Sequence, residues 1–219
     1  MGRIGGVVHL IAAGAPGIGS APLGPSIVGT EFTVAPYPPP LDPEFKFNAG
    51  DRFTVSIDPH TGDSVLGACV RVAKTDAGFA GEAFLGSFTN AAAINWERPG
   101  GRTIPCATLG LHPTNPRHFI YSNSTWGTPG ASVLGNTWGS FDGGVTVQNL
   151  GHPTEAFHVA IDERGRLFTG AEAGAYWSAN NGTAWSPFVV NMTSPEGVVT
   201  NRIPHDFQGI STGFAGDGV

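Results

Sequence analysis

The feature that most constrains this chain is a turn that occurs twice. Ser140-Phe141-Asp142-Gly143-Gly144-Val145-Thr146-Val147 and Ser178-Ala179-Asn180-Asn181-Gly182-Thr183-Ala184-Trp185 share the frame Ser-x-Asp/Asn-x-Gly. A turn of this composition closes itself. The short hydroxyl and the Asp or Asn oxygen accept bonds from nearby backbone N–H groups, and the glycine takes the positive-φ position. In the second copy Trp185 is placed to pack beneath the turn; Val147 stands there in the first. Around the second copy, His158–Ile161, Arg166–Gly170 and Ala175–Ser178 read as short strands, the first ending at Asp162 and followed by a turn at Glu163–Gly165.

A turn that recurs raises the question of a repeating unit. Val55-Ser56-Ile57-Asp58 matches Val159-Ala160-Ile161-Asp162, and Lys74, Asp76 and Gly78 then fall on the positions of Ser178, Asn180 and Gly182. This reads as a decayed third copy. Between them, Leu109-Gly110-Leu111-His112-Pro113 repeats the strand-then-turn phrase. Units of about fifty residues suit the blades of a propeller.

The octets resemble the Asp box of the sialidase-type (BNR) repeat, and the resemblance covers about Phe53 to Phe188. It implies an all-β fold, a β-propeller of four-stranded blades, with about four blades in the chain and the ring partial. Residues 1–50 would be an irregular lead-in or degenerate blade, and residues 51–219 the blades. It also implies that the box residues Ser140, Asp142, Gly144, Ser178, Asn180, Gly182 and Trp185 are structural and take no part in catalysis.

Composition agrees with many short strands. Gly 33 and Pro 18 among 219 residues punctuate turns, while 40% hydrophobic residues and five Trp argue against disorder. Only 13% of residues are charged and the net charge is −6, with no basic patch. That argues against nucleic acid or an anionic membrane as partner. No apolar run approaches the roughly 18 residues of a membrane-spanning helix. Cys69 and Cys106 fall in different repeats and fit either a disulfide or two buried thiols. Asn-x-Thr triplets at Asn123, Asn181 and Asn191 are compatible with a secreted protein, the setting favoured here.

Three stretches invite sharper readings. Gly14 to Ser20 has the glycine spacing of a phosphate loop, but Ser20 stands where that loop needs Lys. A strand with a glycine turn is the better reading, and no cofactor or metal is expected. Trp126 and Trp138 fall in a long link after Phe119-Ile120-Tyr121 and offer a sugar-stacking platform, against ordinary packing between blades. Arg202-Ile203-Pro204 resembles the Arg-Ile-Pro motif of sialidases, whose Arg grips a substrate carboxylate. In that family the motif precedes the first box; here it follows the last.

Two functions remain open. One is a non-catalytic binding module for a glycan or protein. The other is a glycoside hydrolase, sialidase-like or xyloglucanase-like, or a fragment of one. Hydrolysis needs two carboxylates about 5–9.5 Å apart. Asp58, Asp63, Glu82, Glu97, Glu155 and Glu172 are the candidates outside the boxes, and Tyr37, Tyr121 and Tyr176 the only tyrosines for a sialidase nucleophile. An unclosed array would leave its end faces bare, so either the apolar segment Val7–Ile11 completes the last blade as a clasp or the chain self-associates. The second outcome is expected.

Overall fold

A strand that alternates apolar and polar residues must cover one face, and a strand with two apolar faces must be covered on both. The computed structural model describes residues 2–14, 17–25, 31–38, 53–75, 78–122, 137–153, 156, 158–171, 174–193 and 199–202, with backbone alone at 13–14, 71–75, 78–80, 190–193 and 199–202. Among the described residues the protein is all-β, with no α-helix and one 3-10 turn at Pro99–Gly101.

Four successive stretches each form a four-stranded antiparallel meander. The first holds β1 (Gly2–Ile4), β2 (Val7–Gly14), β3 (Gly17–Pro22) and β4 (Thr33–Ala35). The second holds β5 (Phe53–Ile57), β6 (Ser64–Thr75), β7 (Gly78–Asn90) and β8 (Ala93–Glu97). The third holds β9 (Thr108–His112), β10 (Asn115–Ser122), β11 (Thr137–Ser140) and β12 (Gln148–Asn149). The fourth holds β13 (His158–Ile161), β14 (Leu167–Ala171), β15 (Gly174–Ser178) and β16 (Ser186–Pro187). A two-stranded ribbon follows, β17 (Val190–Thr193) paired with β18 (Val199–Arg202).

The sheets pack in chain order, with first strands adjacent: β1 by β5, β5 by β9, and β9 by β13. Residue alternation feeds the layers between them. Leu109, Leu111, Phe119 and Tyr121 of the third sheet pack against Val65, Cys69, Ala83 and Leu85 of the second. The next residue along β10, Ile120, points the other way and joins Val159, Ile161 and Leu167 of the fourth sheet. Ile11 and Ile18 of the first sheet meet Leu66 of the second, with Phe53, Val55 and Phe88 around them. Hydrogen bonds also cross between sheets. Ser56 Oγ donates to His112 O at 2.6 Å, Ile57 N to Pro113 O at 2.7 Å, and Ser122 Oγ to Ala156 O. Gly110 allows the close approach of β9 and β13, because a Cβ there would stand 3.0 Å from Val159 O and 3.1 Å from Ala160 Cα.

Several expectations need correction. The supposed third copy of the turn, Lys74 to Gly78, spans the end of β6 and the start of β7, whereas both octets join third to fourth strands. Asp76 lies outside the described residues. The equivalent turn of the second sheet is Asn90–Ala93, where Asn90 Oδ1 still accepts Ala92 N at 2.9 Å but the turn itself contains no Ser or Gly. The clasp is not formed: Val7–Ile11 belongs to β2, paired with β1 and β3, and all four strands of the fourth sheet lie between His158 and Pro187.

Cys69 and Cys106 form a disulfide, Cα–Cα 5.8 Å. Cys106 does not belong to a neighbouring repeat. After the 3-10 turn the chain returns along β7, with Ala83 N donating to Ile104 O at 2.9 Å and Cys106 N to Gly81 O at 3.0 Å. The bond therefore ties this returning segment to β6 of the second sheet. Its loop closes over a sequence separation of 37 residues, and removing such a link costs about 2–4 kcal/mol. Urea titrations of the oxidised chain and of a Cys69→Ser/Cys106→Ser double variant should differ by that amount. Phe119→Ala, at a fully buried position between the second and third sheets, should cost about 3–5 kcal/mol in the same assay.

Candidate functional site

The two octets fold into the same turn, built from side-chain oxygens outward. In the first, Ser140 Oγ accepts Gly144 N at 2.8 Å and donates to Asp142 Oδ1 at 2.9 Å. The Asp142 carboxylate then accepts Thr146 N at 2.9 Å and 3.1 Å, and Thr146 Oγ1 at 2.7 Å. In the second, Ser178 Oγ accepts Gly182 N at 3.0 Å and donates to Asn180 Oδ1 at 2.8 Å, which accepts Ala184 N at 3.0 Å. Gly144 has φ 92 and Gly182 φ 82, a region closed to most side chains.

Each turn also presses on the stretch that immediately follows the preceding sheet. A Cβ on Gly144 would meet Pro99 C at 2.5 Å, and one on Gly182 would meet Leu150 Cβ at 2.6 Å. Trp185 extends the second contact: its Nε1 donates to Leu150 O at 2.8 Å, and its ring meets the buried His152 edge-on at 4.6 Å. Val147 packs against the cluster between the second and third sheets instead. Arg117 braces the first turn from β10, donating from Nη2 to Asp142 O at 2.9 Å while its own carbonyl accepts Gly143 N at 2.8 Å.

The carboxylate in the first turn is held well below its ordinary range, to about 2, chiefly by the Thr146 hydroxyl and then by the Thr146 N–H. Close by, His118 stacks on His112 with centroids 5.4 Å apart and takes the Phe141 edge at 4.6 Å. Burial, with a smaller contribution from His112, lowers His118 to about 4.

The other candidates that are described lie at separate places in the fold. Trp138 is half-buried against the cluster between the second and third sheets, which withdraws it from a stacking platform; Trp126 lies outside the described residues. Arg202 ends β18, opposite Val190, and its side chain is not among those described. Asp58 Oδ1 accepts His60 N at 2.8 Å and Asp63 Oδ1 accepts Gly6 N at 3.1 Å. Glu82 is fully buried and paired with Arg98, whose Nη2 lies 3.4 Å from Oε2. Glu97 is exposed on β8, and Glu155 and Glu172 lie outside the described residues. Tyr121 is buried and its hydroxyl pushed up to about 12 by desolvation, the wrong direction for a nucleophile. Tyr37 packs against the cluster between the first and second sheets, and Tyr176 meets the His152 edge at 5.2 Å.

Sequence reasoning placed the turn after β13 but missed the side-chain contacts built around it. Asp162 closes the turn after β13, accepting Arg164 N at 3.0 Å and Arg166 N at 2.8 Å and pairing with Arg166 Nε at 2.6 Å. Arg166 lies over the Phe168 ring, 5.7 Å to its centroid, and Phe168 stacks on Phe188 at 6.0 Å. Among the described residues no group of His, Cys, Asp and Glu could hold a metal ion, and no helix is long and apolar enough to cross a membrane.

Fold and site together define an all-β repeat protein of four-stranded antiparallel sheets, two of them carrying a Ser-Asx-Gly staple. In comparisons with known proteins, no family model, curated protein or solved structure matches the chain.

Acid stability should reflect the two shifted groups. His118 binds its proton more readily in the unfolded chain, so stability falls as pH drops from about 6.5 toward about 4. Asp142 contributes stability that is fully present above about 3.8 and lost as pH falls toward about 2. Thermal melts from pH 7 to 2 should show both windows, the lower absent in Asp142→Asn and the upper in His118→Gln. Trp185→Ala should lower the unfolding free energy by about 2–4 kcal/mol, the ring being only partly buried.

Proposed function

We propose that the chain is a non-catalytic binding module: a β-propeller of the Asp-box type whose sheets are blades and whose loops meet a protein or glycan. The stacking of sheets through their first strands supports the propeller reading, as does the staple at one position in the third and fourth sheets.

One observation carries the non-catalytic reading. Asp58, Asp63, Glu82, Asp142 and Asp162 are each committed to a turn N–H or to an arginine. A glycosidase needs one carboxyl held protonated and another free to attack or to activate water. The Asp142 carboxylate is stabilised in its ionised form by the N–H and hydroxyl of Thr146 and is held at about 2. It cannot serve as the acid at neutral pH.

Two assays on the purified chain test the reading. Arrayed glycans and extracellular protein ligands are probed for saturable binding, and a panel of fluorogenic glycosides, sialosides included, is probed for turnover. Binding without turnover is expected. Turnover abolished by Arg202→Ala or by Glu155→Gln would overturn it in favour of a hydrolase.

A further inference from the structure

The second staple carries two side chains that its closure does not require. It is closed by Ser178, Asn180 and Gly182, as the first is closed by Ser140, Asp142 and Gly144. Aligning Ser140 with Ser178 sets Gly143 on Asn181 and Val145 on Thr183. The position of Asn181 asks only for a left-handed backbone: Asn181 has φ 55, and Gly143 has φ 84 with no side chain at all. Thr183 Oγ1 donates to Asn180 O at 3.0 Å, yet the first turn closes with Val145 there and no hydroxyl. Asn181 and Thr183, two apart with Gly182 between them, are the acceptor triplet for N-linked sugar.

The fold presents this triplet outward. Asn181 and Thr183 are exposed at the tip of the turn, while Gly182 is buried beneath them. The neighbouring Asn180 spends its amide oxygen on Ser178 Oγ and Ala184 N. The Asn181 carboxamide takes part in no hydrogen bond among the described residues.

The two sheets also differ beside the turn. Phe119 pairs with Ser140, and Leu167 with Ser178. Two residues earlier stand Arg117 in the third sheet and Gly165 in the fourth. Arg117 lies along the first turn, its Nε 3.2 Å from where a Cβ on Gly143 would stand. Gly165 has no side chain, so nothing from that position crosses Asn181. The disulfide between Cys69 and Cys106 supplies a separate observation, because such bonds persist in oxidising compartments, the lumen of the endoplasmic reticulum among them. Of the other two triplets, Asn123 lies outside the described residues and Asn191 is described by its backbone alone, opposite Asn201.

We propose that Asn181 carries an N-linked glycan at the tip of the second staple. Its Nδ2 forms a bond to the anomeric carbon of an oligosaccharide donated from a polyprenyl diphosphate. The bond from that carbon to the diphosphate oxygen breaks, the diphosphate leaves with the electron pair, and the amide gives up one proton to solvent. The bonds made by Ser178, Asn180 and Gly182 are untouched. A bulky polar group is therefore added outside a turn that stays closed. The assignment rests on the turn and the disulfide and not on the ligand reading above.

Peptide mapping by mass spectrometry, on the full protein as its own cells make it, tests the assignment. Release with peptide N-glycosidase in heavy-oxygen water should convert Asn181 to labelled aspartate. Asn181 recovered only in unmodified form overturns the proposal. Translation of the full chain, behind a secretion leader, into microsomes then identifies the side chains required. With Asn123→Gln and Asn191→Gln in place, the chain should gain the mass of one glycan. Adding Thr183→Val, the residue of the first turn, should abolish that gain, and Thr183→Ser should retain it. A gain that survives Thr183→Val overturns the proposal, as does none in the doubly substituted chain.

Discussion

The structure depends on a side-chain oxygen that stands in for backbone. At Ser140 and Ser178 one hydroxyl gathers the N–H four residues on, and the Asx oxygen two residues later gathers another four beyond itself. A tight turn between a third strand and a short fourth strand leaves N–H groups that the two residues of β12 or β16 cannot pair. Satisfying them within the turn lets the turn be buried on one side. The glycine completes the arrangement in two ways, by its positive φ and by having no side chain where the stretch after the preceding sheet presses in. Local closure and contact with the preceding repeat are therefore one feature.

Packing between sheets follows from that contact and from alternation along β10. Phe119 and Tyr121 face the second sheet while Ile120 faces the fourth, so three consecutive residues belong to two cores. A strand buried on both faces has few places for a charge. Glu82, at full burial on β7, is kept by Arg98, whose guanidinium also lies over the Phe84 ring at 5.7 Å. Replacing either partner alone would leave an uncompensated charge or an unpaired fork.

What could be read in the sequence was what is local. The two staples and the turns at Asp58, His112 and Asp162 are each written in residues two to four apart, and each is found where its spacing put it. The third staple was misplaced because a fixed offset assumes strands of fixed length. β6 and β7 run 12 and 13 residues, where β14 and β15 run five each, so the offset reached the wrong hairpin. Trp138 could not be assigned from its own neighbourhood, since alternation tells which residues share a face but not what lies against it. The same holds for Cys69 and Cys106, brought together by a returning segment with no periodic signal. The glycines after Gly14 belong to a hairpin: a Cβ on Gly17 would stand 2.2 Å from Ala35 O.

The two staples also bear on whether the charge of Asp142 has a chemical use. Asn180 occupies the same position with the same geometry and no charge. What the turn requires there is an oxygen acceptor, and a carboxylate and a carboxamide both provide one. The carboxylate differs in having a second oxygen, which takes the Thr146 hydroxyl; the second turn has Ala184 at that place and nothing to donate. The depressed pKa of Asp142 is then a by-product of better-satisfied hydrogen bonding, not a group tuned for proton transfer. Tyr121 is shifted in the opposite sense by burial, and the consequence is alike. Each group is fixed in one protonation state across the neutral range, which is what a structural role permits and general acid–base chemistry does not.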